Sequence, residues 1–439
     1  MVSPPSLLIK LNSMRSSHFR WFALAAMVLL LLEGNGFGQN TAGATLISLD
    51  QAIDLALAHN HSIQAARTLI LQSQAQEITA NLRPNPTLSA DTQFIPFFSP
   101  QDFSGDNVNN VQQFDIGLGY LFERGKKRQR RLQAARDQTA VTRATVTDAE
   151  RTLAFNVGQQ FVAVLLAEST LQFAQQDLQG FQQTVDIGKE QYKAGYIGEG
   201  DYLKITLQLL QFQTDVSSAR LAKMQALVAL RGLLGYDAVP ADYDVVGDLA
   251  YQPLKGNEED LQMQALKQRP DFQAAELGVT SARSQILLAK ANAKVDVNGS
   301  YVFSHVAGES TASIFASFDL PIFNRGQGEI ARTNYALIQS QELQEAASDT
   351  VLSDVGNAYE AVRSNEEVVQ LYTSGYLKQA EDSRDISQYA YKRGAASLLD
   401  FLDAERSYRA VQLAYRQALA SYMTALEQLK EAVGTRNLP

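Results

Sequence analysis

Cysteine is absent from the 439 residues. That excludes disulfides, thiolate metal sites, a nucleophilic thiol and acylation of an N-terminal cysteine, so any membrane attachment must come from the fold itself. Histidine is limited to His18, His59, His61 and His305. His59 and His61 lie two apart in a helical pattern, where side chains do not face each other, and no shared metal site is expected there. An excess of positive charge is also missing: the formal net charge is −9. Such a chain has no basic face to neutralise phosphates, and no nucleic-acid partner is expected. The sequence holds no phosphate loop, nucleophile elbow, histidine–acid cluster or dinucleotide glycine pattern, which argues against catalysis and against a resident cofactor. Beyond the N-terminal region no apolar run approaches the roughly 18 residues of a transmembrane helix. If the chain spans a bilayer, it does so with strands.

The N-terminus has a secretory pattern. Lys10, Arg15 and Arg20 precede the apolar run Trp21 to Leu32, and Gly36 and Gly38 offer small residues for cleavage before Gln39. Residues 1–38 are read as a signal peptide. The rival, a retained anchor, would need about 20 apolar residues to cross a bilayer. With Lys10, Arg15, Arg20 and Glu33 removed, the charge becomes −9 − (+2) = −11.

What remains is a repeat. Ala56-Leu57 and Ala65-Ala66 recur as Ala265-Leu266 and Ala274-Ala275 at an offset of 209. Phe122, Arg124 and Gly125 recur as Phe323, Arg325 and Gly326 at 201, and Tyr192-Lys193, Gly195 and Asp201 as Tyr391-Lys392, Gly394 and Asp400 at 199. Most of the offset is lost in one loop, Pro100 to Val111 against the shorter Ala307 to Ala312, as expected of an exposed connection. The repeats are placed at 39–247 and 248–439.

Within each repeat the hydrophobic period changes in the same order. Residues 49–82 and 258–293 carry the three-and-four spacing of a helix. Alternation follows, in hairpins placed at 85–122 and 295–321: Leu88, Ala90 and Phe94 against Ser89, Asp91 and Gln93, then Phe114, Ile116, Leu118 and Tyr120 against Asp115, Gly117 and Gly119. In the second repeat Val295, Val297, Tyr301 and Phe303 alternate with Asp296, Asn298 and Ser300, and Ile314, Ala316, Phe318 and Leu320 with Ser313 and Ser317. Long stretches rich in helix formers come next. From Arg124 or Arg325 to the tyrosine before the glycine turn is about 67 residues, a helix on the order of 100 Å long. It needs partners along its length, which the returning helices 200–234 and 397–434 supply after turns at 193–200 and 392–397.

Four strands cannot close a barrel, and open edges in hydrocarbon leave backbone groups unpaired at several kcal/mol each. Closure must come from other copies, two giving eight strands and three giving twelve. The competing interpretation of the same strands is a soluble sheet with one wet face.

At these residues the chain resembles the TolC-like outer-membrane efflux proteins, and among them the outer-membrane components of heavy-metal cation efflux systems. The likeness rests on Arg83-Pro84-Asn85-Pro86, on Leu320-Pro321-Ile322-Phe323-Asn324-Arg325, and on Tyr391-Lys392-Arg393-Gly394 followed by Asp400-Phe401-Leu402-Asp403-Ala404. In the first repeat, Leu121 to Arg128 only approximates the glycine-lysine-arginine pattern of the metal-efflux branch. The resemblance implies a fold of mixed α and β, mostly α: a homotrimer with a twelve-stranded transmembrane β-barrel continued by a periplasmic α-helical coiled-coil barrel. It also implies a location in outer-membrane lipid and partnership with a periplasmic adaptor (membrane fusion) protein and an inner-membrane pump of the RND type. Such a duct would conduct substrate passively, with heavy-metal cations as the expected cargo and drug efflux or type I protein secretion as alternatives. A soluble periplasmic coiled-coil scaffold is the alternative of another class.

The same resemblance assigns a periplasmic aperture to Asp400 and Asp403, three apart on one helical face, so that a trimer presents six carboxylates. It assigns a closed-state bond between Asp201 and Tyr391, and adaptor docking to Gly195, Gly198, Gly394, Ser397 and Leu398. Ala396 stands where family members can carry a basic residue. Helix capping from Ser397 is a second explanation for Asp400, though not for Asp403. Asp91, Asp115 and Asp296 fall on the polar strand face as lumen-facing acids, which would favour cations or simply be hydrated. Tyr120, Tyr301 and Phe303 are candidates for an interfacial aromatic girdle. The basic run Lys126 to Arg131 is expected to be a solvated helix start or a contact with lipid head groups.

Overall fold

The computed structural model describes residues 45–438; the proposed signal peptide lies outside them. The first repeat opens with α1 (Leu49–His59), which starts in a capping box between Ser48 and Gln51. It ends at Asn60, whose side-chain oxygen accepts the N–H groups of Ser62 and Ile63 and so starts α2 (His61–Asn81). In the second repeat α6 (Glu258–Gln268) and α7 (Pro270–Asn292) meet at Arg269, which is extended like Asn60 but makes no side-chain cap bond. Each stretch expected as one helix is therefore two. Pro270 suits a first helical turn and disfavours helical backbone at the residue before it.

The strands form one antiparallel sheet in the order β2 (Thr87–Gln93), β3 (Gln113–Phe122), β5 (Val297–Val306) and β6 (Glu309–Ser317). The register sorts its faces. Leu88↔Leu118, Ala90↔Ile116, Leu118↔Tyr301, Ile116↔Phe303 and Tyr301↔Ile314 put the large apolar side chains on one side. Asp91↔Asp115, Ser89↔Gly117, Gly119↔Ser300 and Asp115↔Ser304 make the other side polar. A Cβ at Gly117 would lie 2.5 Å from Ser89 Oγ, so a larger residue there would have to displace that hydroxyl. β5 and β6 are joined by Ala307-Gly308, both at positive φ, the geometry of a tight hairpin turn. β2 and β3 are joined by a long loop with a short helix, α3 (Gly105–Asn110).

From the sheet the chain enters α4 (Lys127–Lys193), 67 residues without a break and about 100 Å long. It returns as α5 (Glu199–Leu234). The second repeat sends out α8 (Gln327–Leu371) and α9 (Leu377–Lys392), separated by a π-helical segment at 372–376, and returns as α10 (Leu398–Val433). Two cores lie between sheet and tips. One gathers Ile53, Val157, Phe161, Leu230 and Leu234 beneath a short parallel pairing of β1 (Leu46–Ile47) with β4 (Asp244–Val245). The other gathers Leu261, Val351, Val355, Tyr422 and Leu429. Arg269, 3% exposed, braces the second by donating to Asp271, Asp354 and the Ala432 carbonyl.

Several apolar side chains face outward along the helices: Leu203, Leu207, Leu210, Leu221, Met224 and Val228 on α5, and Tyr335, Ile338 and Leu343 on α8. Spaced mostly by three and four, they give apolar stripes on helix faces that no other part of the protomer covers among the described residues. No described helix is long and apolar enough to cross a membrane.

Candidate functional site: the polar strand face and the helical tips

Asp91 and Asp115 are direct cross-strand partners on the polar face. Like charges so placed repel, and two amides relieve them. Gln93 Nε2 donates to Asp91 at 2.9 Å and to Asp115 at 3.3 Å, while Gln113 Nε2 donates to Asp115 at 2.7 Å. Sequence reasoning missed both glutamines, because only the register shows which residues meet across the strands.

Asp296 is not a free acid on this face. It precedes β5, and its carboxylate contacts Lys127 Nζ at 2.6 Å and accepts the Arg124 N–H at 2.8 Å. This fixes the first turn of α4 against the sheet. Two members of the basic run expected to be a solvated helix start or a head-group contact are engaged within the protomer: Lys127 is only 8% exposed, and Arg131 is paired with Glu123, while Lys126 stays exposed. Tyr120 and Phe122 meet edge to face with ring centres 4.9 Å apart, and Tyr301 and Phe303 project from the same apolar side of the sheet.

The two helical tips are built alike. Gly195 (φ +76) and Gly394 (φ +70) take the left-handed conformation just after α4 and α9. The next amides bond back five residues, Tyr196 N–H to the Gln191 carbonyl and Ala395 N–H to the Ala390 carbonyl, which closes each helix in the Schellman manner. Gly198 and Ser397 then start the returning helices. Beneath the tips Phe181, Ile205, Phe212, Tyr391, Leu398 and Phe401 form a buried cluster drawn from both hairpins. Phe401 stacks on Phe181 and on Tyr391, with ring centres 6.4 and 5.5 Å apart.

Asp201 and Tyr391 line one cleft of about 900 Å³ between the tips, together with Lys204, Gly394, Ser397 and Leu398. The bond expected between them is not made. The Tyr391 hydroxyl is buried and without a hydrogen-bond partner, while Asp201 is taken by Lys204, one helical turn along, at 3.3 Å. Burial first, and then the nearby Asp201 charge, push the Tyr391 phenol pKa up. Asp400 closes a capping box, accepting from the Ser397 N–H at 3.2 Å and the Ser397 hydroxyl at 2.7 Å. Asp403 stays exposed, with Arg406 at 3.8 Å. Among the described residues no group of three or more histidine or acidic side chains is arranged to hold a metal ion.

Comparisons with known proteins place this sheet-and-helix architecture in a family. A family model described as "Outer membrane efflux protein" matches the chain twice, over residues 52–236 and 261–435. The pyoverdine export outer membrane protein OpmQ of Pseudomonas putida is 23% identical over 408 residues, covering 88% of this chain and 85% of its own. The cobalt-zinc-cadmium resistance protein CzcC of Cupriavidus metallidurans is 24% identical over 412 residues, covering 91% and 92%. The crystal structure of the Campylobacter jejuni CmeC outer membrane channel superposes with a TM-score of 0.72 at 16% identity, covering 88% of this chain and 85% of that one. With the family pattern present in both halves and the fold shared along nearly the whole length, this chain belongs to the TolC-like outer membrane efflux protein family.

Proposed function

We propose that the chain is one of three subunits of an outer-membrane exit duct that passively conducts heavy-metal cations delivered by a periplasmic adaptor and an RND-type inner-membrane pump. The observation that carries this reading is the sheet: β2 and β6 each have a single neighbour, and one face is apolar. In hydrocarbon both edges need strands from other copies. Three copies supply twelve strands and a lumen wide enough to conduct, and the bare stripes on α5 and α8 give the helices matching surfaces to pack on. The two glycine tips, 195–198 and 394–398, point away from the sheet and are the surfaces offered to the adaptor.

Extraction of the mature protein in detergent as an oligomer that dissociates only on heating supports the duct. A monomer stable in plain buffer overturns it and leaves a periplasmic scaffold. The acids at the two ends favour cations over anions: Asp91 and Asp115 on the polar strand face, and Asp400 and Asp403, six carboxylates per trimer, at the tip. Replacing Asp400 and Asp403 together by alanine is expected to raise conductance in planar bilayers and to relieve block by divalent cations. Unchanged conductance and block remove the aperture assignment.

The cargo has a second reading, because relatives at nearly equal identity are named for pyoverdine export and for cobalt-zinc-cadmium resistance. A deletion strain sensitised to zinc, cobalt or cadmium supports metal cations. A strain that tolerates metals but no longer exports a pyoverdine-type molecule supports the other.

A further inference from the structure

Directly behind the tip cluster, about one helical turn from Phe181 and Phe401, the two helical hairpins are joined by a buried charged cluster. Asp177 of α4 and Glu405 of α10 bring their carboxyl groups into hydrogen-bond contact. The Asp177 side chain is 5% exposed and Glu405 7%. Arg409, one turn beyond Glu405, approaches Asp177 at 2.6 Å, forms an ion pair with Asp215 of α5 and lies over the Phe212 ring at 4.2 Å. From α9, Arg384 lies 4.0 Å over the Tyr408 ring and pairs with Asp385 at 2.7 Å. Glu381 of α9 acts on Tyr408 from the same side and is paired with Lys378 at 3.2 Å.

The charges do not balance. Asp177, Glu405, Asp215 and Asp385 stand against two guanidinium groups, and Arg384 is already committed to Asp385. Two carboxylates in hydrogen-bond contact out of water need a proton between them. We propose that Asp177, Glu405 and Arg409 form a proton-dependent clasp between the first and second helical hairpins, which loosens when the proton shared by the two acids is lost. The counterparts of Glu405 and Arg409 in the first repeat, 199 residues earlier, are Thr206 and Leu210, so the clasp belongs to one hairpin seam alone.

Burial, and then the neighbouring Asp177, push the Glu405 pKa up to about 8; burial pushes Asp177 up as well. The sign follows. An acid whose folded-state pKa is raised keeps its proton in the fold after the unfolded chain has released it. Stability therefore falls as pH rises from the ordinary carboxylate range, and the contribution is gone above about pH 8. Below that point the clasp holds the second hairpin onto the first. Above it, two negative charges press α10 away from α4. The consequence for conduction, more frequent opening at alkaline pH, rests on the duct reading proposed above.

The test uses the full mature chain, purified as its oligomer in detergent, with hydrogen ion as the only ligand varied. Wild type is expected to lose about 3 °C or more of melting temperature between about pH 6 and about pH 9.5. Glu405→Gln, which offers Asp177 a permanent amide donor, is expected to remove most of that loss. A wild type whose melting does not fall, or a Gln variant that keeps the full fall, overturns the clasp. Should Glu405→Gln fail to fold, infrared spectra of wild type decide: a protonated-carboxyl band present at about pH 6 and lost by about pH 9.5 supports it, and no such band at the lower pH overturns it. Openings in planar bilayers should become several-fold more frequent at alkaline pH in wild type and not in the variant. If neither protein conducts while the melting results hold, the duct reading fails and the clasp stands.

Discussion

The hairpin α4–α5 and the hairpin α8–α9–α10 come from one repeated pattern, yet only the first has an unbroken outgoing helix. The second is interrupted at 372–376, where Gly375 adopts φ 143. The Thr373 and Ser374 hydroxyls bond back to the carbonyls of Val369, Gln370 and Leu371. Such bonds compete with regular helix, and a π-helical segment is where the ladder gives way. In the first repeat the positions 199 earlier are 173–177. There Phe173 and Ala174 are buried, and Arg416 of α10 lies over the Phe173 ring at 4.4 Å. Tyr376 is 55% exposed, whereas the side chain of its counterpart Asp177 is only 5% exposed. Continuity of a long helix is thus held by what packs on it as much as by the propensity of its residues.

The largest test of this contrast is at the tips, where the broken hairpin is tied to the unbroken one. Phe401 is fully buried and stacks on Phe181 of α4 and Tyr391 of α9. Phe401→Ala should cost about 3–5 kcal/mol of stability by the cavity it leaves. Hydrogen exchange should rise at the ends of both hairpins and stay slow in the core around Val157 and Leu230. If only α9 and α10 respond, the first hairpin does not depend on the second for its order.

A smaller effect is expected at the interruption itself. Alanine cannot adopt the Gly375 backbone without strain, so Gly375→Ala should cost about 1–3 kcal/mol unless the segment rewinds to regular helix. Gln176, its exposed counterpart on α4, should tolerate alanine within about 0.5 kcal/mol. Equal losses at the two sites would mean that the interruption is not what distinguishes the hairpins. Exchange rates at 372–376 separate strain from rewinding, since a rewound helix protects those amides.

The coarse plan was legible because it rests on periods: the strand faces came from alternation, the 67-residue helix from composition and the absence of proline, the tips from Gly195 and Gly394. What pairs with what was not legible. Asp296 has the right parity for the polar face, but Lys127 and the Arg124 N–H, over 160 residues away, take its carboxylate. Asp201 lost Tyr391 to Lys204, a local partner that costs less chain ordering to reach. The interruption at 372–376 was hidden because Tyr-Thr-Ser-Gly-Tyr carries no proline, and a single glycine within a helical pattern is commonly tolerated. The breaks at Asn60 and Arg269 were readable in principle, from an N-cap residue type and from Pro270, but the apolar spacing runs straight through both.

The returning helices differ in how they begin. Ser397 closes a capping box with Asp400, whereas Gly198 starts α5 with no side-chain bond to the helix. Ser397→Ala should cost about 1 kcal/mol and release the Asp400 carboxylate from the cap. On the aperture role proposed for Asp400, the freed carboxylate would meet cations more readily, so tighter divalent block should accompany the loss of stability. Capping and aperture are separable only because these two readouts move in opposite directions.

The smallest change runs the other way. Gly198 has φ −77 and ψ 159, an extended conformation that serine adopts without strain, and no atom lies within 4 Å of where its Cβ would be. Gly198→Ser would give α5 the cap that α10 already has, and should stabilise by only a few tenths of a kcal/mol, because glycine is itself a fair N-cap. Melting of the Gly198→Ser, Ser397→Ala and combined variants tests whether the tips act independently. Additive shifts mean that each tip is closed by its own cap. A shift in the combined variant larger than the sum means that the cleft lined by Asp201, Tyr391 and Ser397 couples them, so that order at one tip is felt at the other.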